Sequence, residues 1–421
     1  MQIDPAKLDP KYVKISFPPR KERLSRRDLL SGFLRPQYEI VPAVEKEQCT
    51  AWHGCSLCLA SCPQEAIFLR EGSASVDKEK CTGCGACLPS CPIEAISSPL
   101  LDPEALDSLL KSLLSRDKRG FEARILLITS EDTETLVETT RGSLISELPV
   151  LKLPCIGALS SRLVLQSFLL GAGGIAIIPC RSTCRHHCRP ERWQRAVRFV
   201  CTLLIKLGVE PERVQVFSMF DDGPQSLADL LGAFIEKIKE ISATRLRDGQ
   251  GGENKLTLEA LLKDLWQRSN HVEGSRLSGP EIPFGIVRVQ DGCKTCTLCG
   301  ACPDRCPTGA IILREEADLS QLLFSHSRCV GCGACVEVCP EQVLKMERTL
   351  DFSRLGEATV LAEDRIARCR SCGKGIAPLT MVRKIQNQVV MRKVGNPTAL
   401  AEFCPNCRIF DNLDIFSPPG K

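Results

Sequence analysis

The spacing Cys-x-x-Cys-x-x-Cys-x-x-x-Cys-Pro occurs three times in this chain, and a stretched fourth copy precedes them. The regular copies are Cys81, Cys84, Cys87 and Cys91 before Pro92; Cys296, Cys299, Cys302 and Cys306 before Pro307; and Cys329, Cys332, Cys335 and Cys339 before Pro340. The stretched copy is Cys49, Cys55, Cys58 and Cys62 before Pro63, with the five residues Thr50 to Gly54 between its first two cysteines. Cysteines this close cannot readily pair with each other, but they can wrap one metal centre. This is the ligand spacing of cubane [4Fe–4S] clusters, in which three thiolates come from one tight run and the fourth from its paired run, just before the proline.

The copies come in two pairs, so four cubanes are expected. The first takes Cys49, Cys55, Cys58 and Cys91, and the second Cys81, Cys84, Cys87 and Cys62. The third takes Cys296, Cys299, Cys302 and Cys339, and the fourth Cys329, Cys332, Cys335 and Cys306. Gly83, Gly85, Gly300, Gly331 and Gly333 permit the tight backbone such loops need. Zinc also accepts four thiolates, but paired runs in this order with both prolines are not a zinc pattern. The stretched run leaves His53 as an alternative ligand. Cys293, three residues before the third run, is a spare thiol or one that displaces a neighbouring ligand.

Twenty-six cysteines in 421 residues would suit a disulfide-rich secreted protein if they were spaced for pairing. They are not, and the opening residues carry no apolar run. A reducing cytoplasm, in an anaerobe, is the expected setting. No stretch reaches the roughly 18 apolar residues of a membrane span; the longest, Val164 to Ile178, is broken by Gly171, Gly173 and Gly174. A net charge of +4 is too small to imply nucleic acid. The positive charge is local, with Lys14, Arg20, Lys21, Arg23, Arg26, Arg27 and Arg35 crowding the N-terminal arm. That arm reads as a solvated tail or a docking surface for an acidic partner. Ser25-Arg26-Arg27-Asp28-Leu29-Leu30 resembles a twin-arginine signal, but no hydrophobic segment follows it.

The repeat extends beyond cysteine. After each Cys-Pro comes an apolar pair suited to a short strand: Ala66-Ile67, Ala95-Ile96, Ala310-Ile311 and Val343-Leu344. Both blocks resemble bacterial-type two-cluster ferredoxin domains. The expected organisation is an α/β and α+β multidomain chain. It comprises a basic N-terminal arm (1–40), a 2[4Fe–4S] ferredoxin module (41–100), a central parallel α/β domain (101–245), a linker with a short helix (246–284), a second 2[4Fe–4S] ferredoxin module (285–350) and a small zinc-ribbon-like domain (351–421).

In the central segment, residues 123–129, 149–155, 174–180 and 214–219 read as strands. Residues 160–170, 190–207 and 225–241 read as helices, and the alternation implies a parallel sheet. Cys155 and Cys180 then sit at the C-terminal ends of two strands, where open α/β folds place their ligands, and Cys184 and Cys188 follow on the next loop. Four thiolates with this mixed spacing suit a binuclear [2Fe–2S] cluster better than a cubane. Gly171 to Gly174 reads as a helix C-cap turn rather than a nucleotide loop. His186 and His187 lack the second Cys/His pair of a Rieske centre. Cys201 lies on an apolar helix face and reads as packing.

Residues from about Leu151 to Phe220 resemble the delta subunit of methyl-viologen-reducing hydrogenases. The matching residues are Pro154-Cys155-Ile156-Gly157; Gly171-Ala172-Gly173-Gly174-Ile175; Cys180-Arg181-Ser182-Thr183-Cys184-Arg185-His186; and Leu207-Gly208-Val209-Glu210-Pro211-Glu212-Arg213. The resemblance implies a [2Fe–2S] cluster. It also implies electron traffic between a hydrogenase or formate dehydrogenase and a heterodisulfide reductase-type, flavin-based complex. The chain departs from the family in lacking a Cys-x-x-Cys near the first strand, where Ile125 to Ser130 has none; Cys188 is the candidate substitute.

Near the C-terminus, Cys369 and Cys372, with Cys404 and Cys407, form two Cys-x-x-Cys knuckles. Four thiolates so placed make a closed tetrahedral site, for structural zinc or for a single iron of the rubredoxin kind. No residue set resembles a nucleophile, general base or flavin site. The expected function is therefore an iron–sulfur electron-transfer subunit of an oxidoreductase complex, with redox protein subunits as partners. The rivals are a self-contained iron–sulfur reductase acting on a small substrate and a redox-sensing scaffold.

Overall fold

The computed structural model describes residues 8–16, 37–115, 124–133, 148–180, 184, 186–187, 189–217, 223–241, 257–269, 274–290, 296–392 and 401–410. Two compact units divide the chain, residues 1–274 and 275–421. Cys188, Cys293 and most arm cations lie outside the described residues.

The first unit opens with β1 (Val13–Ser16) and β2 (Gln37–Ile40), an antiparallel pair. It lies against the first module: Lys14 Nζ donates to the Glu79 carbonyl at 3.0 Å, and Tyr12 Oη and Ser97 Oγ are 2.8 Å apart. The module itself holds little regular structure. It comprises β3 (Ala43–Val44), helix α1 (Leu57–Ser61), the hairpin β4 (Ile67–Arg70) and β5 (Ser73–Val76), and β6 (Ile96–Ser97) paired with β3. Its core mixes cysteine with small apolar residues: Cys58, Ile67, Ala74, Cys87 and Ile96.

Helix α2 (Pro103–Leu114) is started by Asp102, whose side chain accepts from the Ala105 N–H, and by Pro103 at its first position. A four-stranded parallel sheet follows, built from β7 (Ile125–Ser130), β8 (Val150–Leu153), β9 (Gly174–Ile177) and β10 (Val214–Val216) in the order β10-β9-β7-β8. All six residues of β7 are buried, which is why Ile125 to Ile128 read as an unbroken apolar run: layers cover both faces of such a sheet. Ile125 and Leu127 face helix α5 (Gly223–Glu240), packing on Leu227, Leu231, Phe234 and Ile238; Leu126 and Ile128 alternate to the opposite face.

Helix α3 (Ser161–Leu169) links β8 to β9, and α4 (Pro190–Lys206) links β9 to β10. The glycines after α3 form the expected C-cap. Gly171 is left-handed (φ 99°), its N–H bonds Phe168 O, and the Ala172 N–H bonds Ser167 O. The stretch expected to link the modules is divided between the units. Helix α6 (Leu258–Arg268) buries Leu261, Leu262 and Leu265 in the first unit. Strand β11 (Arg276–Ser278) is an edge of a sheet in the second.

The second unit has two antiparallel sheets, β11-β15-β12 and β13-β14-β16-β17. Their strands are β12 (Gly285–Val289), β13 (Ile311–Glu315), β14 (Leu319–Ser325), β15 (Leu344–Asp351), β16 (Ala358–Arg368) and β17 (Gly375–Pro378). Short helices α7 (Ala301–Arg305) and α8 (Ala334–Val338) each carry the third cysteine of a run, and α9 (Leu379–Arg392) and α10 (Pro405–Phe410) end the described chain. Here the architecture departs from expectation. Among the described residues after 351, no separate sheet forms, because β16 pairs along β14, from Leu319↔Arg365 to Ser325↔Ala358. The terminal knuckles are thus mounted on a hairpin continuous with the second module's sheet.

Candidate metal centres

Cys49, Cys55, Cys58 and Cys91 line one cavity, with Ala51, Leu57, Ser90 and Pro92 among the walls, enclosing about 340 Å³ with its open mouth included. Cys296, Cys299, Cys302 and Cys339 line a second cavity of about 340 Å³ with Leu298, Leu322 and Val343. The remaining eight motif cysteines gather in two further sets. Cys87 feels the charges of Cys84, Cys81 and Cys62, and Cys335 those of Cys329, Cys306 and Cys332. His53 stacks on Trp52, with ring centroids 3.4 Å apart, while the neighbouring Cys49, Thr50, Ala51 and Cys55 form the wall of the first cavity.

Each run repeats one backbone device. The residue three places after the last cysteine is left-handed in all four copies: Glu65 (φ 50°), Glu94 (55°), Gly309 (60°) and Gln342 (53°). Such a conformation is strained for residues other than glycine. It turns the next N–H back onto the cysteine: Ala66, Ala95 and Ala310 each donate to the Sγ of Cys62, Cys91 and Cys306 at 3.2 Å. The same turn launches β4, β6, β13 and β15 and buries the apolar pair at its start. A second strained point falls two residues after the first cysteine. Glycine fills it as Gly83 and Gly331, but Leu298 (φ 53°) takes it in the third copy.

Burial pushes these thiols up, reinforced by their neighbours' charges: Cys58 to about 11, Cys302 and Cys335 to about 12. Clustered thiols in apolar walls do not ionise readily alone, and a bound cation is what favours their thiolate form. The donor set, the cavities and the N–H groups aimed at sulfur all fit cubane iron–sulfur groups.

In the parallel sheet, Cys155 follows β8, Cys180 follows β9 and Ser130 ends β7. The strand order reverses between β7 and β9, the switch point at which such sheets bind ligands. The sulfurs of Cys155, Cys180 and Cys184 all lie within 4.8 Å of one another and all three residues are buried. Cys155 and Cys180 are 3.9 Å apart, and Cys180 Sγ is 3.2 Å from Ser130 Oγ. The N–H groups of Gly157 and His186 point at Cys155 and Cys184, at 3.3 and 3.5 Å. His186 is buried, and its Nδ1 is 3.0 Å from Thr82 Oγ1 in the loop between Cys81 and Cys84. Cys201 is half-buried, 4.0 Å from the Pro211 carbonyl.

At the C-terminus, the sulfurs of Cys369, Cys372, Cys404 and Cys407 lie within 4.8 Å of one another. Cys369 directly follows β16, its N–H bonds Lys374 O, and left-handed Gly373 (φ 71°) closes the knuckle. Arg370 joins the two knuckles, through its N–H to Glu402 O and an ion pair with the Glu402 carboxylate at 2.9 Å. The backbone N–H of Cys404, against the cost of burial, and those of Cys372 and Ser371 hold the Cys369 thiol down to about 6.

Cysteine spacing does not mark Arg192. It lies in the first turn of α4 and donates to Ser90 Oγ and, at 3.3 Å, to the Leu57 carbonyl, both on the wall of the first cavity. Its signal in the sequence is faint: a basic residue where helices favour acidic ones.

Comparison with known proteins agrees with this geometry. Residues 129–242 match the family described as methyl-viologen-reducing hydrogenase, delta subunit. Residues 288–349 and 328–377 match 4Fe–4S dicluster domains, and residues 74–97 match a 4Fe–4S binding domain. The chain is similar to an iron–sulfur subunit of the F420-non-reducing hydrogenase vhc of Methanococcus voltae, with 25% identity over 103 residues, covering 24% of this chain and 72% of that protein. No helix among the described residues is long and apolar enough to cross a membrane. The chain thus joins 4Fe–4S domains, on both sides, to a segment similar to a hydrogenase delta subunit.

Proposed function

We propose that this chain is an iron–sulfur electron-transfer subunit, working between a hydrogenase- or formate dehydrogenase-type partner and a heterodisulfide reductase-type complex. The observation that carries the reading is the convergence of Cys155, Cys180 and Cys184 at the sheet's switch point, in the delta-like segment, with cubane-type thiol sets in the same chain. The sixteen motif cysteines would hold four [4Fe–4S] groups in the ligand sets given above. Cys155, Cys180 and Cys184, with Cys188, would hold a [2Fe–2S] group. Cys369, Cys372, Cys404 and Cys407 would hold a zinc ion.

When bound, the iron–sulfur groups supply one-electron carriers. The protein supplies the rest. Thiolates fix each site, apolar walls such as Leu322 and Val343 keep water out, and N–H donors to sulfur favour the more negative state. The test is anaerobic purification of the tagged chain from its native host. The expected result is stoichiometric recovery of a hydrogenase or formate dehydrogenase with a heterodisulfide reductase-type flavoprotein. A chain that purifies alone and contains its own flavin would instead be a self-contained reductase.

A further inference from the structure

The first cavity has a neighbour that its cysteines do not require. Arg192 is half-buried between helix α1, which carries Cys58, and the turn that precedes Cys91. Both of its hydrogen-bond acceptors, Ser90 Oγ and the Leu57 carbonyl, are uncharged, and among the described residues no carboxylate pairs with it. A guanidinium does not discharge itself by losing its proton. Removing one from water without a counter-charge is unfavourable.

Its surroundings add to the imbalance. The N-terminus of a helix carries roughly half a positive charge, where anions are stabilising and cations are not. Helix α4 nevertheless begins with Arg189 at its N-cap, without a side-chain cap, and continues with Arg192 and Arg195 at three-residue spacing. Burial and these two arginines all oppose the Arg192 charge; the group that favours it is the Cys58 thiol. The acidic residue of this first turn, Glu191, is exposed and among the described residues forms no ion pair with Arg192, whose side chain touches the wall of a four-thiol cavity.

We propose that Arg192 is the electrostatic counterpart of the iron–sulfur group held by Cys49, Cys55, Cys58 and Cys91, and that it raises the reduction potential of that group. The inference rests on the reading that these four thiols hold a cubane. A reduced group carries one more negative charge than its oxidised form, so a fixed cation at the wall stabilises the reduced form more. The delta-like segment would then set the redox level of a site in the adjoining module. This site is also the one altered by the five-residue stretch between Cys49 and Cys55.

The experiment is a potentiometric titration, followed by electron paramagnetic resonance, of the full chain reconstituted under exclusion of oxygen. Cys58→Ser identifies the signal of the first site. In Arg192→Met that signal should titrate at more negative potential, with the reduced-to-oxidised ratio changed at least tenfold at fixed potential, 59 mV for a one-electron carrier. The other signals and the iron content should stay as in the wild type. Arg192→Lys should recover more than half of the shift. An unchanged potential in an iron-replete Arg192→Met protein would overturn the proposal. Equal loss of the first group from the Met and Lys variants would overturn it too, since that marks a purely structural contact. A wild-type protein with no signal sensitive to Cys58→Ser would instead refute the underlying assignment of the cavity.

Discussion

The sulfurs of Cys372 and Cys404 stand 3.7 Å apart, although the two residues belong to knuckles separated by a helix. A tetrahedral ion with metal–sulfur bonds of about 2.3 Å sets its sulfurs roughly 3.8 Å apart. The observed separation is the one that two thiolates on a single metal ion would have.

That spacing makes the metal content of the terminal site testable by elemental analysis. The wild-type chain should carry about one zinc ion, and Cys404→Ser should lose it while leaving iron unchanged. Iron replacing zinc in protein grown with both metals would assign a rubredoxin-like centre. Loss of both metals together would show that the knuckles and the clusters fold as one.

Iron counting addresses the remaining sites. Four four-iron groups and one two-iron group give about 18 iron atoms per chain. Cys180→Ser should lower the total to about 16, without altering the cubane signals. A wild-type value already near 16 would remove the central group, and a value near 8 would remove the central group and a whole module.

Two left-handed glycines, Gly83 and Gly300, differ in what surrounds them. A Cβ on Gly83 (φ 71°) would sit 2.5 Å from the backbone oxygen of Ile40, whereas one on Gly300 (φ 81°) would meet nothing within 4 Å. Gly83→Ala should therefore destabilise the first unit by about 3 kcal/mol, from strain plus a clash with backbone that cannot easily move. Gly300→Ala should cost about 1 kcal/mol, from the backbone conformation alone. Thermal unfolding of the two loaded variants separates these values, and equal costs would show that the β2 contact yields.

Asp351 governs the acid limit of the second unit. Burial pushes its carboxyl up, but donors from Ser353, Arg276 and Ser275 outweigh it and hold the group at about 2, below its ordinary 3.8. A lowered carboxyl stabilises the fold above the unfolded value, and that stabilisation is lost as pH falls. The second unit should thus weaken between about pH 4 and 2. Asp351→Asn should flatten that dependence and lower stability at neutral pH by about 2 kcal/mol, the range for hydrogen bonds to a charged group. Denaturant unfolding across this pH range measures both effects.

Spacing made the thiol sets and the parallel sheet legible before any coordinate. Cysteine intervals specify which sulfurs can face one centre, and the apolar run Ile125 to Ile128 marks a strand covered on both faces. What sequence concealed depends on distant partners. The pairing of β16 with β14 joins residues some forty apart, and the polar Glu363, Asp364 and Arg365 gave no sign of it. The seat of Arg192 at the first cavity joins residues more than a hundred apart. Linker-like residues 276–278 became a strand only because Leu350 and its neighbours offered an edge.

The shared strand β16 carries a lesson for anyone shortening this protein. A fragment ending at residue 350 would contain every cysteine of the second module, yet it would strip β14 of one neighbour along its whole length from Leu319 to Ser325. Bare amide and carbonyl groups beside Leu322, Leu323 and Phe324 are a template for adhesion between copies. The tail therefore doubles as a sheath, and its removal would first be felt as aggregation of the product.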